Sequence, residues 1–109
     1  MCSLFVEHDG DHTIVAVAGE MDLNSASRFA EALDLLDGPL VIDCSELEFI
    51  DTSGLHVLVD AVATHGSVTL RRASPFIVEV VEILGLDGTL EIDTRETIPW
   101  RLAYAVAKR

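Results

Sequence analysis

Apolar and polar positions change period several times along the chain. From Ser3 to Glu7 and from Thr13 to Ala18 the pattern is β-like, and Asp9-Gly10-Asp11 between them supplies a turn. The two runs predict an opening hairpin. From Asn24 to Leu36 the period becomes helical, with Ala26, Phe29, Ala30, Leu33 and Leu36 on one face and Arg28, Glu31 and Asp34 elsewhere. Asp37-Gly38-Pro39 stops that helix. Leu40-Val41-Ile42 is a continuous apolar run bounded by turn residues, as expected of a strand covered on both faces. Asp43 to Ile50 reads as a connection to a second helix, Ser53 to about His65, with Leu55, Leu58, Val59 and Val62 inward and Gly66 at its end.

Val68 to Arg71 predicts another strand. Ser74 and Pro75 then form an N-cap and first-turn pair for a third helix, whose buried stripe is Ile77, Val80, Val81 and Leu84 and whose stop is Gly85. Thr89 to Ile92 predicts the last strand. Beyond it, Asp93 and Glu96 fit a capping box, but Pro99 would break the early ladder, so a last helix beginning near Ile98 is the other option. The order β-β-α-β-α-β-α-β-α predicts an α/β domain with a mixed, mostly parallel sheet of four to five strands, an N-terminal hairpin and about four helices.

A chain of 109 residues suits one domain, 1–109, and no repeat or linker divides it. Seven Lys and Arg stand against nineteen Asp and Glu, a formal charge of -12. That balance disfavours nucleic acid and anionic membranes and favours a partner with a basic docking face. No apolar run is long enough to cross a bilayer, and the N-terminus lacks the basic flank of a signal peptide, so no membrane insertion and a cytoplasmic location are expected. Cys2 and Cys44 are expected to be reduced there, and neither has zinc-ligand spacing.

The informative stretch is Leu40 to Asp60. An apolar strand leads to Asp51-Thr52-Ser53-Gly54-Leu55, where a helix starts at once. Asp51 or Thr52 can accept a hydrogen bond from a backbone N–H two or three residues on. Gly54 lets the backbone approach a neighbouring surface. This motif, together with Gly19-Glu20-Met21-Asp22 after the second strand, resembles the signature of STAS domains, in particular the bacterial anti-sigma factor antagonists. The resemblance spans almost the whole chain.

It implies a STAS-like fold and a regulatory binding protein, with neither catalysis nor a cofactor. The implied partners are an anti-sigma factor with serine/threonine kinase activity, displaced from its sigma factor, and a protein phosphatase. Thr52 becomes the phosphorylation site, with Ser53 the second choice. Many relatives carry Ser at this acceptor position. Thr is chemically competent, although its β-methyl restricts the hydroxyl. The implied partner-binding set is Gly19, Glu20, Met21, Asp22, Asp51, Thr52, Ser53, Gly54, His56, Val57 and Asp60. For His56, Val57 and Asp60 the other reading is a solvated helix face, and for Asp22 a plain helix cap. A competing branch of the family supplies accessory subunits of lipid-transporting ABC systems.

Other chemistry finds little support. The aspartic-protease loop has Gly directly after its Thr in an all-β setting, whereas here Ser53 intervenes and a helix follows. His8 and His12 fall in the hairpin, and His56 and His65 on one helix are not an i, i+4 ligand pair, so no paired-histidine metal site is expected. No Walker A loop and no nucleophile elbow occur.

Overall fold

The hairpin forms where the turn signal stands. In the computed structural model, which describes residues 2–93, β1 (Cys2–Asp9) pairs antiparallel with β2 (His12–Met21) around Gly10, whose φ of 62° suits a residue without Cβ. The chain continues as α1 (Leu23–Asp34), β3 (Leu40–Ile50), α2 (Thr52–His65), β4 (Val68–Arg71), α3 (Pro75–Ile83) and β5 (Glu91–Asp93). The five strands lie in sequence order in one sheet, and every pair after the hairpin is parallel. The three parallel crossovers all step in one direction, and right-handed connections then place the three helices on one face. The α/β class, the mixed sheet and the hairpin agree with the sequence. The expected fourth helix, with Glu96, Ile98, Pro99, Trp100 and Tyr104, lies outside the described residues.

The core is continuous. Val15 and Val17 of β2, Leu40 and Ile42 of β3, and Val68 and Leu70 of β4 meet Phe29 and Leu33 of α1, Leu55 and Leu58 of α2, and Ile77 and Val81 of α3. Ser74 caps α3 by accepting from the Ile77 N–H at 3.3 Å, with Pro75 at the first position. Gly85, at φ 71°, donates to Glu82 O, and Leu86 donates to Val81 O, closing the helix as a Schellman turn.

Four expectations are corrected. First, β3 does not end at Ile42: it runs to Ile50, and the supposed connection is strand. Two register shifts against β2, between Ala16 and Ala18 and between Gly19 and Glu20, each insert an extra β3 residue and scramble its alternation. Second, α1 stops at Asp34, leaving Leu35 85% exposed and Leu36 half-buried. Third, α2 is rotated from the expected face: Ala61 and His65 are buried with Leu55 and Leu58, while Val59 and Val62 are half-buried. The His65 ring shares its Nδ1 with Gly38 O at 3.2 Å, which lets a polar ring close the helix against the loop before β3. Fourth, on α3 Leu84 is exposed, and β5 begins at Glu91, because Leu86 to Leu90 forms a hydrogen-bonded turn.

Candidate functional site

Two parallel strands end level and each is followed by an aspartate that opens a helix. Met21 of β2 pairs with Ile50 of β3, and the next residues, Asp22 and Asp51, are the N-caps of α1 and α2. Asp22 Oδ1 accepts from Asn24 N at 3.0 Å and Ser25 N at 3.2 Å, while Ser25 Oγ accepts from Asp22 N at 3.0 Å. This is a reciprocal capping box with Ser in the place usually held by Glu. Asp51 Oδ1 accepts from Ser53 N at 2.9 Å and Gly54 N at 3.2 Å. The two ends are tied by the Asp51 N–H, which donates to Met21 O at 3.0 Å. Two helix N-termini thus stand side by side at the carboxyl ends of the strands, where the helix dipoles favour negative charge.

Thr52 occupies the first position of α2 and is exposed; Ser53 beside it is half-buried. Gly54 is buried against the neighbouring strand ends. A Cβ there would run into Met21 Cγ and come within 2.8 Å of Ile50 Cγ1 and 3.0 Å of Met21 O. Met21 itself is 1% exposed. Met21 and Gly54 therefore offer no side chain to a partner and act by setting the spacing between α2 and the β2 end. Gly19, at φ 95°, sits at the second register shift, which turns Glu20 outward while its carbonyl accepts from Ser25 Oγ at 3.2 Å.

Along α2, Thr52, His56 and Asp60 follow at helical i, i+4 spacing and all are exposed. Val57 is half-buried at the edge of a shallow notch of about 80 Å³ between α1 and α2, walled also by Ala30, Asp34, Asp60 and Thr64. The structure thus gathers Asp22, Asp51, Thr52 and Ser53 at one end and extends them along α2 through His56, Val57 and Asp60. Among the described residues, no group of three or more His, Cys, Asp or Glu is placed to hold a metal ion. No helix among them is long and apolar enough to cross a membrane.

One cluster escaped the sequence reading. Asp43, 7% exposed, accepts from Arg71 at 2.9 Å and lies 3.8 Å from Arg72. Burial alone would raise its carboxyl, but the hydrogen bonds from Arg71 and Ser45 and the Arg72 charge outweigh it and hold the group below its ordinary value. The partners are far apart in sequence, so only the β3–β4 register, Asp43 opposite Arg71, reveals them. Ser25, three residues after Asp22, is a capping signal that stands in the sequence itself.

A family model described as "Mlab, STAS domain" matches residues 4–93. The anti-sigma-B factor antagonist of Listeria monocytogenes is 33% identical over 98 residues, covering 83% of this chain and 86% of the relative. The anti-sigma-F factor antagonist RsfB of Mycobacterium tuberculosis is 31% identical over 101 residues, covering 79% of this chain and 75% of the relative. Among solved structures, an anti-sigma factor antagonist from Mycobacterium paratuberculosis superposes with a TM-score of 0.74 at 24% identity, covering 100% of this chain and 96% of that one.

Proposed function

The chain belongs to the STAS domain family, and from that premise we propose that it is an anti-sigma factor antagonist switched by phosphorylation at Thr52. In this reading residues 1–109 form a single STAS domain. It docks on an anti-sigma factor with serine/threonine kinase activity through Glu20, Asp22, Asp51, Thr52, Ser53, His56, Val57 and Asp60. Docking releases the sigma factor. Phosphate transfer to the Thr52 hydroxyl ends the interaction, and a protein phosphatase restores it. The protein acts by binding, in the cytoplasm.

The observation that carries this reading is the position of Thr52: exposed, first in its helix, and flanked by two aspartate-capped helix ends. A phosphate there gains about 0.3–1 kcal/mol from the helix N-terminus, so the modified domain stays folded. Its charge of about -1.5 to -2 is added beside Asp51 and Asp22 in a chain of net charge -12. An interface fitted to a neutral hydroxyl then takes in an unpaired dianion, which costs on the order of several kcal/mol. Binding is lost while the fold is kept.

The test is to incubate the purified chain with its kinase-type anti-sigma factor and ATP and map phosphate by mass spectrometry. One phosphate on Thr52, absent from Thr52→Ala, supports the assignment. Phosphate on Ser53 instead, or none at all, contradicts it. An ABC-type accessory subunit would form a complex that ATP does not dissolve.

A further inference from the structure

Beside the first turns of α1 lies a cavity of about 440 Å³ that shares only Asp22 with the docking face. Its size falls in the ordinary range for small-molecule sites, about 300–1,000 Å³. Leu4 of β1, half-buried, and the core side of Phe29, 2% exposed, give it an apolar floor. The two charged groups of its wall are unlike. Asp22 Oδ1 is already occupied by Asn24 N and Ser25 N. Arg28 is exposed at the rim and makes no ion pair with any described residue, whereas Arg71 and Arg72 both reach Asp43. An arginine with no ion pair among the described residues is unexpected in so acidic a chain.

We propose that this cavity binds a small amphipathic monoanion, a medium-chain carboxylate, with its headgroup on Arg28 and Asn24 and its tail on Leu4 and Phe29. The planar guanidinium matches a carboxylate with two parallel N–H donors, and the Arg28 stem extends the apolar wall. A phosphate dianion fits less well, because Asp22 and the net charge of -12 repel its second charge. A neutral amphiphile leaves the Arg28 charge unused. The site does not depend on Thr52 being a phosphoacceptor.

The experiment is an NMR titration of the full-length, isotopically labelled chain with sodium octanoate, repeated with octanamide and on Arg28→Gln. The expected result is saturable one-site binding with amide shifts at Leu4, Asn24, Arg28 and Phe29. Affinity should fall about tenfold for octanamide and for Arg28→Gln. Arg28 is exposed on its helix, so the variant should keep the parent spectrum, and the octanamide comparison needs no variant. Shifts that never saturate, shifts centred on the exposed Phe76 and Ile83 of α3, or equal affinity for octanoate and octanamide would overturn the proposal.

Discussion

The backbone N–H of Asp51 donates to the carbonyl of Met21 at 3.0 Å, so the residue that caps α2 is held by the last residue of β2. That bond ties the start of α2 to the strand end from which α1 begins. Thr52 is placed by the sheet register and owes nothing to a loop, which suits a site that must be presented in one geometry to a partner.

Gly54 is where this arrangement is most easily broken. Gly54→Ala gains about 0.8–1 kcal/mol of helix propensity at most, and less in a first turn. Against that, its Cβ meets Met21 and Ile50, both buried, and overpacking of this kind costs about 1–3 kcal/mol. A net loss of about 1–2 kcal/mol in urea unfolding is expected, together with weaker partner binding as α2 shifts from the β2 end.

Charge and capping at Asp51 separate cleanly. Asp51→Ala removes the acceptor for Ser53 N and Gly54 N and should cost about 1 kcal/mol of stability. Asp51→Asn keeps a capping oxygen and should stay within about 0.5 kcal/mol of the parent. If the Asp51 charge matters to docking or phosphate transfer, the two variants will be equally impaired in a kinase assay despite their different stabilities in denaturant.

Local signals explain what could be read from the sequence. The caps at Asp22, Asp51 and Ser74 and the stop at Gly85 act over a few residues, so motif and helix starts stand in the chain itself. What failed was non-local. The run from Asp43 to Ile50 looks like a connection because two inserted residues break its alternation, and only β2 shows it to be strand. The pairing of the Asp22 and Asp51 ends follows from that same register. His65 stands at the end of its helical pattern, yet its ring is buried where Nδ1 meets Gly38 O, 27 residues away in sequence.

Asp43 should make stability depend on acid. Its folded carboxyl lies below the ordinary value, so its contribution is fully present above the unfolded pKa, about 3.9. That contribution disappears as pH falls through the lower folded value. Asp43→Asn should be about 1–3 kcal/mol less stable than the parent at pH 7, the worth of hydrogen bonds to a charged partner. The gap should narrow steadily below about pH 4, followed by urea unfolding across the pH range. A gap that is constant with pH would mean that packing, and not the Arg71 bond, accounts for the loss.

The two thiols should differ in reactivity. Cys44 is 2% exposed, and burial, with the nearby Asp43 charge, pushes its thiol up to about 12. Cys2 is half-buried on the first strand, and burial raises its thiol too. With Ellman's reagent at pH 8, the native protein should react slowly at one thiol, and that reaction should vanish in Cys2→Ser. Cys44 should react only after urea is added.

The most direct test of the switch is a native pull-down from the source cells with wild-type and Thr52→Glu baits, the bound proteins identified by mass spectrometry. A kinase-type anti-sigma factor is expected on the wild type and none on Thr52→Glu. Recovery of that factor equally on both baits, or of transporter ATPase subunits in its place, would contradict it.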